Sequence, residues 1–107
     1  MDIMERIDQQ VKSHPVMIYM KGTPQFPQCG FSSRAVDALK KCSVEFSYVN
    51  VFEDQEVYEN IKAYANWPTF PQIYVNGELI GGCDIVLELF AKGELKPMLE
   101  NAVQKAQ

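Results

Sequence analysis

The sequence predicts an α/β fold: a four-stranded mixed sheet with flanking helices. Three observations carry the prediction. A five-residue apolar run, "VMIYM", is bounded by chain breakers and reads as a strand buried on both faces. Segments of helical period alternate with strand-like runs through the first half, an order that favours a parallel strand pair. In the second half two apolar runs flank the dipeptide Asn76-Gly77, the residue pair a type I′ hairpin turn requires.

Along the chain, Ile3, Ile7 and Val11, with Met4 beside them, recur at helical spacing until "SHP" stops the segment at Pro15. Val16 to Met20 follow as the central strand. From Phe31 the apolar residues fall at Ala35, Ala38, Leu39 and Cys42, one face of a helix, with Cys29 and Gly30 at or just before its first turn. "VEFSYVNV" is the second strand, and Val57, Ile61, Tyr64 and Ala65 mark a second crossover helix. After "NWPTFP", "QIYV" and "ELIGG" form the hairpin. Ile85, Val86, Leu89 and Phe90 predict a helix closed by Gly93, and Leu95, Met98, Leu99 and Ala102 a terminal one. No repeat, linker or low-complexity segment interrupts this order. Parallel strands first and an antiparallel hairpin second is the ordering of the thioredoxin-like fold.

The 107 residues have the size of one compact domain, expected to span residues 1–107, and 47% hydrophobic with 22% charged residues is ordinary globular composition. Ten Lys and Arg against fourteen Asp and Glu leave a formal charge of −4 with no basic stripe, which disfavours nucleic acid as a partner. "MDIMERIDQQ" lacks the layout of a secretory signal and no apolar run approaches a membrane span. The expectation is a cytoplasmic protein, or the mature form of an organelle-matrix one, without membrane partners. Three cysteines, an odd number, argue for reduced thiols rather than a disulfide framework.

Cys29 stands out among them. A thiol at a helix N-terminus sits beside unpaired backbone N–H groups and the positive end of the macrodipole, both of which favour thiolate. That suits a nucleophile or a metal ligand; the plainer alternative is a half-buried cysteine beside a bland loop. The preceding "KGTPQFPQ" is eight residues long, against roughly two to six for a strand-to-helix connection, and its prolines and glycine suggest a built surface. Lys21 adds positive charge if that loop folds back. Ser32, three residues on, can hydrogen-bond to a thiolate but cannot resolve a mixed disulfide. Cys42 lies about 20 Å further along the helix, whereas disulfide Cα atoms lie within about 7 Å, so core packing is its expected role. Cys83, in "GGCDI", reads as a small buried residue at a tight turn, although pairing with Cys29 stays open. Tetrahedral zinc held by the three cysteines lacks any paired Cys or His spacing.

"KGTPQFPQCGFS", "YANWPTFPQIYVNGELIGGCDI" and the spacing between them resemble the CGFS-type monothiol glutaredoxins in their single-domain bacterial form, over nearly the whole chain. The resemblance implies glutathione binding. Lys21 would pair with the glycine-end carboxylate, and Cys29 would lie beside the glutathione sulfur. Phe70 precedes Pro71, which in this fold is cis, and the Phe70 backbone would pair strand-like with the cysteinyl unit. Thr69 and Trp67 would shape that wall, and Gly81 and Gly82 would let the backbone approach the ligand closely. The N–H groups of Cys83 and Asp84 would hold the γ-glutamyl carboxylate, the Asp84 side chain accepting from the ligand's amino group; a plain helix cap at Asp84 is compatible with this.

There is one departure from the family pattern. Where an arginine commonly clamps the glycine-end carboxylate, this chain has Tyr58, whose hydroxyl can donate one hydrogen bond but makes no charged fork. Lys62, one turn on, shares that helix face and could supply the charge.

A [2Fe–2S] cluster needs four ligands. The resemblance implies a homodimer in which Cys29 of each subunit and one glutathione sulfur per subunit supply them. It further implies delivery to apo iron–sulfur proteins, with BolA-like proteins as heterodimer partners. The alternative is a glutathione-dependent thiol–disulfide oxidoreductase acting on glutathione mixed disulfides; the long loop and Ser32 lean against fast turnover.

Overall fold

The computed structural model describes residues 1–106. Helix α1 (Ile3–Lys12) precedes strand β1 (Val16–Met20), helix α2 (Gly30–Lys41) and strand β2 (Ser47–Asn50). A single 3₁₀ turn (Val51–Glu53) leads into α3 (Gln55–Ala65), then the hairpin β3 (Gln72–Val75) and β4 (Glu78–Gly81), and finally α4 (Cys83–Ala91) and α5 (Leu95–Ala106).

The four strands form one mixed sheet in the order β2-β1-β3-β4. β1 runs parallel to β2 and antiparallel to β3, so that Ile18 lies between Tyr48 and Ile73. This is the sheet expected from the sequence, and "VMIYM" is its central strand, buried at all five positions. The hairpin turns on Asn76 and Gly77 with φ of 51° and 82°, as a type I′ turn demands.

Side-chain alternation along β1 feeds two cores. Val16, Ile18 and Met20 pack beneath α2, α4 and α5 with Leu39, Val86, Leu95 and Leu99. Met17 and Tyr19 point the other way, into Ile7 and Val11 of α1 and Val57 and Ile61 of α3. Each fully buried aliphatic side chain contributes about 1.5–3 kcal/mol. Tyr19 meets Tyr74 edge-on at 5.6 Å, and its hydroxyl donates to Gln10 Oε1 at 2.6 Å.

Capping follows the local sequence. Asp2 caps α1 by accepting from the Glu5 N–H, and Asp54 caps α3 through the Val57 N–H. Asp54 also receives Arg6 at 2.9 Å, and Tyr64 donates to Asp8 at 2.7 Å, so α1 and α3 are tied side by side.

The structure departs from the sequence reading at several residues. β2 begins at Ser47; Val44 and Phe46 precede it and only lean on the core. Phe31, Ile85 and Phe90, apolar residues at helical spacing in the sequence, are 53%, 38% and 37% exposed and not in the core. Phe31 shares a helix face with the buried Ala35 but opens the first turn of α2, where its ring meets the Arg34 guanidinium at 5.1 Å and not the core. Met4 is exposed too, at the edge of the α1 stripe.

Candidate functional site

Three chain segments converge near the end of β1, with Lys62 of α3 beside them: the 21–28 loop with the start of α2, the segment before β3, and the start of α4. Between them lies a cleft of about 450 Å³, inside the range of roughly 300–1,000 Å³ for small-ligand sites.

The loop is a built element. Gly22 (φ 94°) pairs across a β-bridge with Pro27, and the Gln28 N–H donates to the Lys21 carbonyl at 2.9 Å. A Cβ on residue 22 would sit 2.6 Å from the Phe26 carbonyl oxygen and 2.7 Å from the Gln28 nitrogen, so both its angle and its room require glycine. Asn50 at the end of β2 accepts from the Gly22 N–H at 3.0 Å and from the Phe52 N–H at 3.0 Å. Lys40, the penultimate residue of α2, donates to the Pro24 carbonyl at 3.1 Å.

These ties present Cys29 as the residue immediately before α2, half-buried, with extended backbone and no N–H captured outright by its side chain. The thiol is nevertheless held below its ordinary value. The nearby Ser32 backbone N–H is the largest influence, partial burial opposes it, and the Phe31 N–H, the Lys21 ammonium and the Ser32 hydroxyl add to it. Ser32 itself is wholly buried and accepts the Lys21 N–H at 3.2 Å, which leaves its hydroxyl proton free to face the thiolate. Burial pushes the other two thiols up: Cys42 sits in the core as expected, and Cys83 is buried at the first turn of α4.

The far wall carries the cis Phe70–Pro71 peptide. Thr69 and Phe70 line the cleft, joined by Pro68, and Phe70 lies just outside the β1–β3 register, which starts at Gln72. Gln72 is completely buried: its amide donates to the Trp67 and Thr69 carbonyls at 3.1 and 3.4 Å, and its Oε1 accepts from the Tyr74 hydroxyl at 2.9 Å. Trp67 stands behind this wall, its indole N–H buried with no partner among the described residues.

Gly82, Cys83 and Asp84 close the third side, with Gly82 immediately preceding α4. A Cβ on Gly82 would approach the Pro71 carbonyl oxygen to 3.1 Å and Trp67 Nε1 to 3.5 Å. The close approach that glycine permits here is therefore first of all to the protein's own wall. Gly81 is similar: its Cβ would meet Ile85 at 2.7 Å.

Of the residues singled out from sequence, Lys21, Cys29, Lys62, Thr69, Phe70, Gly82, Cys83 and Asp84 all line the one cleft. Pro71 is buried and does not line it. Tyr58 does not line it either: its ring packs on Phe70 at 5.7 Å and on Phe52 at 6.2 Å, and its hydroxyl has no partner among the described residues. Phe31 and Ile85, read from sequence only as apolar positions of their helices, also line the cleft. Asn50 and Gln72 escaped the sequence reading because each acts through a partner remote in sequence or through its own burial. The one cue for Gln72 is a polar residue inside an otherwise apolar strand.

The described residues contain no group of three or more His, Cys, Asp or Glu side chains able to hold a metal ion, and no helix long and apolar enough to cross a membrane. The cleft can therefore offer a ligand one activated thiol, two lysine ammonium groups and one carboxylate.

Residues 16–80 match the family described as Glutaredoxin. The chain is 50% identical over 105 residues to Glutaredoxin 4 of Pasteurella multocida (strain Pm70), covering 98% of this chain and 96% of that one. Against Glutaredoxin 4 of Escherichia coli (strain K12) it is 45% identical over 102 residues, covering 95% and 89%. Among solved structures, reduced apo GrxS14 from poplar superposes with a TM-score of 0.77 at 46% identity over 92% of this chain and 90% of that one. A monomeric truncated mutant of Trypanosoma brucei 1-C-Grx1 gives 0.82 at 34%, covering 94% and 92%.

Proposed function

Because this chain belongs to the glutaredoxin family, whose members commonly use glutathione, we propose that it is a monothiol carrier of a glutathione-ligated [2Fe–2S] cluster, its cargo, which it transfers to apo iron–sulfur proteins. One observation carries the reading: of three thiols only Cys29 is accessible and held toward thiolate, at the mouth of a cleft of tripeptide size. Four ligands are needed for such a cluster, and one thiol per chain leaves the rest to external sulfur. Two copies of Cys29 and the sulfurs of two bound glutathiones complete the set, making the loaded form a homodimer.

In this reading the single glutaredoxin domain spans residues 1–107. Lys21 and Lys62 face the glycine-end carboxylate of glutathione. The Phe70 backbone, set by Pro71 and flanked by Thr69, pairs with the cysteinyl unit. The N–H groups of Cys83 and Asp84 at the open end of α4 take the γ-glutamyl carboxylate, Gly82 keeps that wall close, and the Asp84 carboxylate takes the amino group. BolA-like proteins are the proposed heterodimer partners and the cytoplasm the proposed location.

The lowered Cys29 favours a second reading, a glutathione-dependent oxidoreductase. Its thiolate attacks the glutathionyl sulfur of a mixed disulfide, forms a Cys29–glutathione disulfide and expels the substrate thiolate. A second glutathione thiolate then attacks the bound glutathionyl sulfur, releasing the Cys29 thiolate and glutathione disulfide.

Anaerobic reconstitution with iron, sulfide and glutathione tests the carrier reading. The expected product is a coloured dimer with two irons that forms only when glutathione is present, and Cys29→Ser yields none. A colourless monomer that rapidly reduces glutathione mixed disulfides would favour the oxidoreductase instead.

A further inference from the structure

Lys62 and Lys21 both line the cleft, and neither ammonium belongs to an ion pair among the described residues. Two unpaired cations on one small cleft of a chain with formal charge −4 mark a seat for an anion. A lysine on an exposed helix face has rotamer entropy working against any fixed pose. Here the pose has a physical support. The Lys62 Nζ stands 5.4 Å from the centre of the Tyr58 ring and 5.5 Å from that of Phe70, and those two rings pack together at 5.7 Å. Phe52 stacks on the outer side of Tyr58 at 6.2 Å and 25°, completing a row of three rings from the surface to the cleft wall. Tyr58 and Lys62 are four residues apart on α3 and so share a face.

We propose that Tyr58 is a positioning residue: its ring, together with that of Phe70, holds the Lys62 ammonium at the cleft so that Lys62 and Lys21 jointly seat the terminal carboxylate of the bound tripeptide. This rests on the glutathione reading above and deepens it. The ring acts, and the hydroxyl does not: that hydroxyl has no partner among the described residues, and Tyr58 does not line the cleft. Phe70 thereby has two jobs, its backbone facing the ligand and its ring facing the lysine.

Titration of reduced glutathione, and of its glycine-end ethyl ester, into the reduced apo-protein followed by amide NMR shifts tests the proposal. The variants are Tyr58→Phe, Tyr58→Leu, Lys62→Met and the double variant Tyr58→Leu/Lys62→Met. Tyr58→Phe keeps the wild-type Kd for glutathione. Tyr58→Leu weakens it roughly two- to fivefold, Lys62→Met about fivefold, and the double variant no further than Lys62→Met. The ethyl ester binds all of them alike.

Loss in Tyr58→Phe equal to that in Tyr58→Leu would assign the effect to the hydroxyl and overturn the proposal. So would fully additive losses, or an equal loss for the ester. If Tyr58→Leu fails to fold, Tyr58→Met takes its place, filling the space without a ring: the same loss as expected for Tyr58→Leu supports the proposal, and wild-type affinity overturns it. A wild-type protein without saturable glutathione shifts overturns the glutathione reading and the inference with it. Failed cluster reconstitution alongside the expected binding pattern removes only the carrier reading.

Discussion

Ser32 occupies the position where a second cysteine would make a dithiol, and its surroundings explain what it does instead. It is wholly buried, and its hydroxyl oxygen accepts the Lys21 N–H, joining the residue after β1 to the first turn of α2. Removing the hydroxyl strands a partly buried backbone donor, a loss of about 1–3 kcal/mol. Ser32→Ala is therefore expected to lower stability by that amount in urea titration. Its effect on Cys29 is expected to be small, because the largest influence lowering the thiol is the Ser32 backbone N–H, which alanine keeps. Iodoacetamide alkylation against pH reads this directly: the Cys29 midpoint lies below that of an ordinary thiol in both proteins, and it rises only slightly in Ser32→Ala. Were the midpoint to return to the ordinary range, the side chain and not the helix end would be the activating group.

At the scale of elements, the 21–28 loop behaves as a small folded unit whose anchor lies in another strand. Asn50 holds the N–H groups of Gly22 and Phe52, and Gly22 fits only because its backbone is left-handed and its α-carbon is bare. Gly22→Ala is expected to destabilise by at least about 1–3 kcal/mol through backbone strain and collision. It should also slow alkylation of Cys29 relative to Asn50→Ala, which loosens the loop without displacing it; peptide mapping after a timed iodoacetamide pulse distinguishes the two.

Legibility from sequence divides along the same lines. The hairpin could be read because its signal is local, two residues whose backbone angles few others adopt. The central strand could be read because burial on both faces leaves no polar residue in Val16–Met20. Most of the cleft could be read because the resemblance carried whole motifs that the fold brings together. Phe31, Ile85 and Phe90 could not, since periodicity says which residues share a helix face but not where the sheet beneath that face ends. Asn50 could not, because its partner Gly22 lies 28 positions earlier. Tyr58 and Lys62 were placed on one face of the right element, but the rings that flank Tyr58, Phe52 and Phe70, come from two other segments and become visible only when the chain is folded.

For the whole molecule, the pairing of α1 with α3 brings the carboxylates of Asp54 and Asp8 into structural use. Asp54 is held below the usual carboxylate range chiefly by Arg6, and Asp8 chiefly by the Tyr64 hydroxyl, with Lys12 next. A depressed folded value means that the stabilisation is complete above the unfolded value of 3.8 and is lost as pH falls through the lower folded one. Asp54→Asn should lose stability at neutral pH and show a shallower decline than the parent below pH 3.8. Thermal melts at pH 7 and across the acid range check this, and parallel acid limbs would show that the Arg6–Asp54 contact plays no part.

The sheet order also has a consequence for how the chain is made. β1 sits between β2, which follows it closely, and β3, which arrives only after α3. A ribosome therefore releases the Cys29 thiol and its loop well before the Phe70 wall and the start of α4. Until Gln72–Val75 emerge and pair with β1, the nascent chain carries the Cys29 thiol without most of the cleft that surrounds it, and its central strand has one open edge. The last strands and helices to be translated thus enclose a cysteine that stays bare until they arrive.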